Sequence, residues 1–130
     1  MIVVDSSALI AILLDEPDAR SYVDAIADSG ACSISSFTLF ETHVVIHRRA
    51  RERGVQRLAR LLEHARLTTA PFDDSQTAIA FDAYRRYGKG NHPARLNLGD
   101  CAAYALARSL DAPLLFKGND FAQTDIRRAL

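Results

Sequence analysis

A chain of 130 residues is the size of one domain around one core, and a composition of 48% hydrophobic and 25% charged residues excludes a disordered polypeptide. No stretch approaches the roughly 20 apolar residues of a membrane span; the apolar start Met1–Leu14 has no basic leader and is interrupted by Asp5, so a cytoplasmic protein without membrane contact is expected. The 16 basic and 16 acidic residues cancel to zero net charge but are segregated along the chain, which excludes a uniformly acidic or basic surface.

Ile2–Val4 is a short β-branched run that reads as a buried strand ending at Asp5. Ser6 or Ser7 then caps a helix through Leu14, and Pro17 suits the first turn of a second helix with Ala19, Tyr22, Val23 and Ile26 on its apolar face. Gly30 ends that helix, Cys32–Ser35 is the second strand, and Ser36 caps a long helix to about Arg53. Gly54 breaks the chain before a further helix over Val55–Arg66, and Leu67–Ala70 is the third strand. Asp74 caps a helix to Tyr87 with Ala78, Phe81 and Tyr84 facing inward; two glycines and a proline make Gly88–Asn97 a loop. Leu98–Leu110 is helical, Pro113–Phe116 is the fourth strand, and Asp125–Leu130 forms a last turn. Strands alternating with helices indicate an α/β fold, a single domain over 1–130 with a central four- to five-stranded, mostly parallel sheet flanked by helices.

Ligands of such sheets gather beyond the carboxyl ends of the strands. Four acids fall there: Asp5 after the first strand, Glu41 in the helix after the second, Asp100 at the head of its helix, and Asp120 after the fourth strand. Taken singly, Asp5 and Asp100 are ordinary caps and Asp120 an ordinary turn residue; their common position is what points to chemistry. Four converging carboxylates repel one another by several kcal/mol at an effective dielectric of about 20, so either their pKa values rise or a cation neutralises them. Hard oxygen donors without His or Cys select Mg²⁺, or Mn²⁺, over zinc, and such an ion equips a site for in-line hydrolysis of a phosphodiester.

The charge pattern fits a polyanion. Residues 47–66 hold seven arginines against Glu52 and Glu63, and residues 85–95 hold Arg85, Arg86, Lys89 and Arg95 with no acid, whereas residues 1–28 hold six acids against Arg20 alone. A solvated helix face accounts equally well for the 47–66 run by itself. Lys89, His92 and Arg95 are candidates for holding phosphates, since such contacts need only positive charge and donors.

Val3-Val4-Asp5-Ser6-Ser7-Ala8-Leu9 resembles the first motif of PIN-domain ribonucleases, and Thr38-Leu39-Phe40-Glu41 and Leu98-Gly99-Asp100-Cys101-Ala102-Ala103-Tyr104 continue the likeness in order. The block Tyr87–Asn97 and the ending Leu114-Leu115-Phe116-Lys117-Gly118-Asn119-Asp120-Phe121 are similar to one subgroup of VapC toxins. The resemblance implies a PIN fold, Mg²⁺-dependent RNA cleavage, homodimerisation and a VapB-like antitoxin partner. It also implies that Asp5, Glu41, Asp100 and Asp120 form the catalytic, metal-holding set. Many PIN domains carry an acid directly after the last strand, where this chain has Lys117 and Gly118, so the fourth acid is assigned to Asp120 with Asp125 in reserve. Ser6, where Thr is common, keeps the hydroxyl and is expected to help bind substrate.

Other motifs carry less. His43 and His47 have the zinc-protease spacing without the intervening glutamate, Gly88-Lys89-Gly90 lacks the spacing of a P-loop, and Cys32 and Cys101 lack that of a zinc site and read as buried thiols. An aspartyl phosphatase would want an acid where Ser7 stands. A receiver-like signalling domain would use a Lys after a late strand, as Lys117, but would carry adjacent early acids that are absent. An RNA-processing nuclease without an antitoxin is the remaining alternative.

Overall fold

The computed structural model describes residues 1–130. Its elements run β1 (Ile2–Val4), α1 (Ser6–Leu13), α2 (Ala19–Asp28), β2 (Cys32–Ser35), α3 (Ser36–His64), β3 (Thr68–Ala70), α4 (Asp74–Tyr87), α5 (Leu98–Ser109) and β4 (Leu114–Leu115). The strands form one wholly parallel sheet in the order β3-β2-β1-β4. No helix is long and apolar enough to cross a membrane.

The pleat of the sheet divides the apolar residues between two faces, because successive strand side chains point to opposite sides. Val3, Leu114 and Phe116 join the core under α4 and α5, while Ile2, Val4 and Leu115 join the core under α1, α2 and α3. Within α5, Ala102, Ala103, Ala105 and Ala107 are all fully buried, so this helix approaches the sheet and α4 closely.

Several local expectations are corrected. The side of α4 turned inward carries Gln76, Ala80 and Ala83, whereas Ala78 and Phe81 are exposed, Phe81 by 59%. Small residues are what a close approach to alanine-rich α5 requires; Tyr84 is only partly buried. On α2, Tyr22 and Ile26 are buried while Val23 faces out. The break in α3 falls at Arg51 (φ 53°, ψ −149°), three residues before Gly54. Gly54 serves packing instead, since a Cβ there would lie 2.7 Å from the Ala50 Cβ. The caps shift by one residue: Asp5 caps α1, Ser35 caps α3 and Asp73 caps α4. The C-terminal residues are extended and not a helical turn. Leu114 N–H donates to Arg127 O and Ala129 N–H to Leu114 O, both at 2.9 Å, adding a single parallel bridge beside β4.

Candidate active site

The parallel sheet brings three sequence-distant segments to one end. Asp5 leaves β1 with its N–H donating to Leu115 O at 2.9 Å, so the start of α1 is tied to β4. The Asp5 side chain is buried and caps α1: its Oδ2 accepts from the Ser7 N–H at 3.1 Å and from the Ser7 hydroxyl at 2.6 Å. The Ser7 hydroxyl in turn accepts from the Lys117 N–H at 2.9 Å. These bonds hold one carboxylate oxygen. The other, Oδ1, is buried without any hydrogen-bond partner, a costly state for an acceptor unless something else fills it.

Glu41 is reached through Ser6, whose hydroxyl donates to Glu41 Oε1 at 3.0 Å. The serine nominated for substrate therefore holds an acid in the structure. The Glu41 carboxylate lies against the backbone of Gly99, where an added Cβ would be 2.6 Å from the Glu41 Cδ and closer still to both oxygens. Asp100 follows at once and forms a reciprocal capping box with Asn97: the Asp100 N–H donates to Asn97 Oδ1 at 2.8 Å, and the Asn97 N–H donates to Asp100 Oδ2 at 3.0 Å. Asp120 is exposed and shares with Asp100 a cleft of about 410 Å³, whose wall includes Lys89, Arg95, Asn97 and Asn119.

The electrostatics follow from this crowding. Burial pushes the Asp5 carboxyl up to about 6, against the two Ser7 hydrogen bonds and helped by the negative charge of Glu41. Burial pushes Asp100 up to about 7, opposed by the Asn97 N–H and reinforced by Asp5, Asp120 and Glu41 in that order. All four acids thus act in one field, and no Lys or Arg forms an ion pair with any of them. No three His, Cys, Asp or Glu side chains already close on one point as a cage. The donors nevertheless suit a hard divalent cation. They are all oxygen, one is an orphaned buried carboxylate atom, and Mg²⁺ characteristically takes one or two carboxylates and keeps several waters.

Two other charged residues settle elsewhere. Asp125, held in reserve for the fourth acid, accepts from the Tyr104 hydroxyl at 2.6 Å and pairs with Arg108 at 3.3 Å and Arg86 at 3.6 Å; it is removed from the acidic group by its own partners. The Lys117 ammonium donates to Glu16 and, at 3.0 Å, to Asp18, so it does not reach over Asp5 as a receiver-like lysine would. On the loop after α4, His92 lines an adjoining hollow with Lys89 and Arg95; its Nδ1 accepts from the Ala94 N–H at 3.0 Å and its ring meets Tyr87 edge-on. His43 and His47 stay apart from this group, with Nδ1 of His43 bonded to Leu39 O and His47 paired with Glu52. Both cysteines are buried and free.

Known proteins share the family and the fold of this chain. The PIN domain family matches residues 2–127, and a Ribonuclease VapC of Mycolicibacterium smegmatis is 47% identical over 124 residues, covering 95% of this chain and 96% of the relative. The chain belongs to the PIN-domain family, among the VapC ribonucleases. Ribonuclease VapC28 of Mycobacterium tuberculosis is 42% identical over 129 residues, covering 98% and 97% of the two chains. The fold is shared with VapC20 of Mycobacterium tuberculosis (TM-score 0.80, 16% identity, 97% and 96% coverage). It is shared also with VapBC2 of Rickettsia felis, solved bound to a promoter DNA fragment (TM-score 0.78, 17% identity, 98% and 96% coverage). Within this PIN domain, sequence reasoning missed the parts played by Ser7, Asn97 and Gly99. The only hint was local: a glycine directly before Asp100, and an Asn three residues before it at capping distance.

Proposed function

We propose that this chain is a Mg²⁺-dependent endoribonuclease that hydrolyses RNA phosphodiester bonds as the toxin of a toxin–antitoxin pair. The observation that carries the reading is a group of four carboxylates at the strand ends, crowded enough to raise two of them, with no Lys or Arg ion-paired to any of them and one buried oxygen left over. Asp5, Glu41, Asp100 and Asp120 are the residues to hold the ion; Mn²⁺ meets the same requirements. When bound, the ion supplies charge neutralisation and Lewis acidity toward a phosphoryl oxygen.

The rest of the work falls to the chain. Ser7 and the Lys117 N–H fix one Asp5 oxygen, which leaves the other to face the ion. Ser6 and Gly99 set the position of Glu41, and Asn97 orients Asp100. Lys89 and Arg95, on the wall of the same cleft, hold the flanking phosphates and keep an anionic strand close to an anionic site. With Nδ1 of His92 accepting, its neutral ring carries the proton on Nε2 and can donate to RNA. A VapB-like antitoxin, homodimerisation and a cytoplasmic location accompany this reading. Support for the partner comes from structural neighbours described as a toxin–antitoxin complex from Klebsiella pneumoniae and as DNA-bound VapBC from Salmonella typhimurium.

The test is digestion of total RNA by the wild type and Asp100→Asn, each with Mg²⁺ and with chelator. Asn retains an oxygen for the Asn97 N–H, so the variant should fold. Cleavage should require the metal and fall by at least about 100-fold in the variant, the scale of lost electrostatic stabilisation at a reacting centre. Wild-type cleavage by folded Asp100→Asn, or undiminished cleavage in chelator, would sink the mechanism.

A further inference from the structure

The cations of this protein divide cleanly. Half of the 16 Lys and Arg side chains reach a carboxylate, a carbonyl, a hydroxyl or an aromatic ring, as Arg57 does with Leu13 O and Asp15, Arg86 with Tyr104 and Asp125, and Arg127 with Asp111. The remainder reach none, and they lie in two places only. One is the cleft wall, with Lys89 and Arg95. The other is the middle and far end of α3, with Arg48, Arg49, Arg51, Arg53 and Arg60, and Arg66 just beyond; all six are exposed. The two acids of that stretch do not neutralise them: Glu52 meets His47 and Glu63 meets no cation. Gathering like charges on one helix is unfavourable, and pairs four apart repel by a few tenths of a kcal/mol each. The helix also breaks in their midst at Arg51, a non-glycine residue at positive φ, a conformation costing on the order of 1–3 kcal/mol.

We propose that this arginine-rich stretch of α3 is a second RNA-holding surface, separate from the cleft, that grips the backbone of a structured substrate. The inference rests on the ribonuclease reading and extends it to where the rest of the RNA lies. Glu41, Arg48 and Arg49 share the part of α3 before the break, and at 1.5 Å per residue Arg49 stands about 12 Å along it from Glu41. An RNA whose scissile phosphate sits at the carboxylates has further phosphates at such distances. The acids of α2 repel it, with Asp28 and much of Asp24 in solvent. A polyanion is therefore steered toward α3.

The test uses Arg49→Gln/Arg53→Gln/Arg60→Gln, three exposed positions without partners. Two substrates are compared, a folded RNA of transfer-RNA size and a single-stranded oligonucleotide just long enough to fill the cleft. For the folded RNA, KM should rise and the slope of its logarithm against log[salt] should fall by about 2 to 3, which removes about 20- to 40-fold of the change between 50 and 200 mM salt. Turnover of the short oligonucleotide should stay within about twofold. Arg49→Lys/Arg53→Lys/Arg60→Lys keeps the charge and should restore the slope, which separates loss of charge from loss of fold. An unchanged slope on the folded RNA overturns the proposal. So does an equal loss on the short oligonucleotide, or a change confined to oligomeric state or to binding of an acidic partner segment. If the wild type cleaves neither RNA, it is the ribonuclease reading that fails, a result distinct from all of these.

Discussion

Asp100 and Asp125 are both carboxylates that touch α5, and the fold treats them oppositely. Asp125 is met by the Tyr104 hydroxyl and by Arg86 and Arg108, and these partners hold it below the usual carboxylate range despite some burial. Asp100 is met by one backbone N–H and three other acids, and burial drives it up to about 7. The cations that could relieve it are engaged elsewhere or stand on the cleft wall without making an ion pair. An acid that is structural is paired within the chain; an acid left unpaired in a buried, acidic neighbourhood is kept for a cation from outside.

The contrast is broken most severely at Gly99. The Glu41 carboxylate occupies the space where a side chain would be, so Gly99→Ala must push it off its seat and away from the Ser6 hydroxyl. The atoms displaced are the far end of a flexible side chain, so the fold should tolerate the change and melting should shift by only a few degrees. The reaction should not: a misplacement of about 1 Å at a reacting centre costs on the order of 100-fold. Cleavage by Gly99→Ala within a few-fold of wild type would mean that the position of Glu41 does not matter.

Proton and metal linkage sharpen the comparison. Asp5 and Asp100 have folded-state values raised from 3.8 to about 6 and about 7, so the native state holds more protons than the unfolded chain between those limits. Stability from these groups is therefore full below about pH 4 and is lost as pH rises through 7. In chelator, Asp100→Asn should melt closest to the wild-type temperature near pH 4, and the gap in its favour should widen with pH, by on the order of 5 °C or more between pH 5 and pH 8. Mg²⁺ binds the ionised form and works the other way, raising the wild-type melting temperature at pH 8 far more than at pH 5. A melting difference that does not grow with pH would show that Asp100 is not strained by its neighbours.

How much of this could be read in advance depended on the range of the contact. The sheet and the end at which the acids gather were legible, because the β-branched run Ile2–Val4 ends at Asp5 and the short strand Cys32–Ser35 ends just before Ser36, and a parallel sheet puts all such ends on one side. The inward face of α4 was not. Phe81 and Ala80 both count as apolar in a periodic pattern, and only the fully buried alanines of α5 opposite decide that the smaller one goes inside. The break at Arg51 was misplaced to Gly54 for a similar reason, since that glycine answers to Ile46 and Ala50 and not to the bend. Within the site, four acids could be placed by position after strands, but their supports could not. The bond from Lys117 to Ser7 spans 110 residues and the Lys117 ammonium reaches back 99 to Asp18, links that no local spacing encodes. The same limit left Asp125 in contention until Tyr104 and the two arginines were seen around it.

The smallest expected effect comes from Asp125 itself. Asp125→Asn keeps an acceptor for the Tyr104 hydroxyl and loses only the pairing with two half-exposed arginines, which is worth about 0–1 kcal/mol. Asp125→Ala also strands that hydroxyl at the surface of a well-packed core and should cost about 1–3 kcal/mol. Thermal melting should therefore order the proteins as wild type, then Asn slightly below, then Ala some degrees lower. Cleavage at saturating Mg²⁺ should stay within a few-fold of wild type in both, and the metal concentration for half-activity should not move. That last quantity tests the contrast between the two carboxylates. If Asp125→Asn raised it tenfold while the melting temperature held, Asp125 would be a metal-facing acid, its pairing with Arg86 and Arg108 would be a resting state, and the division between paired structural acids and unpaired functional ones would fail.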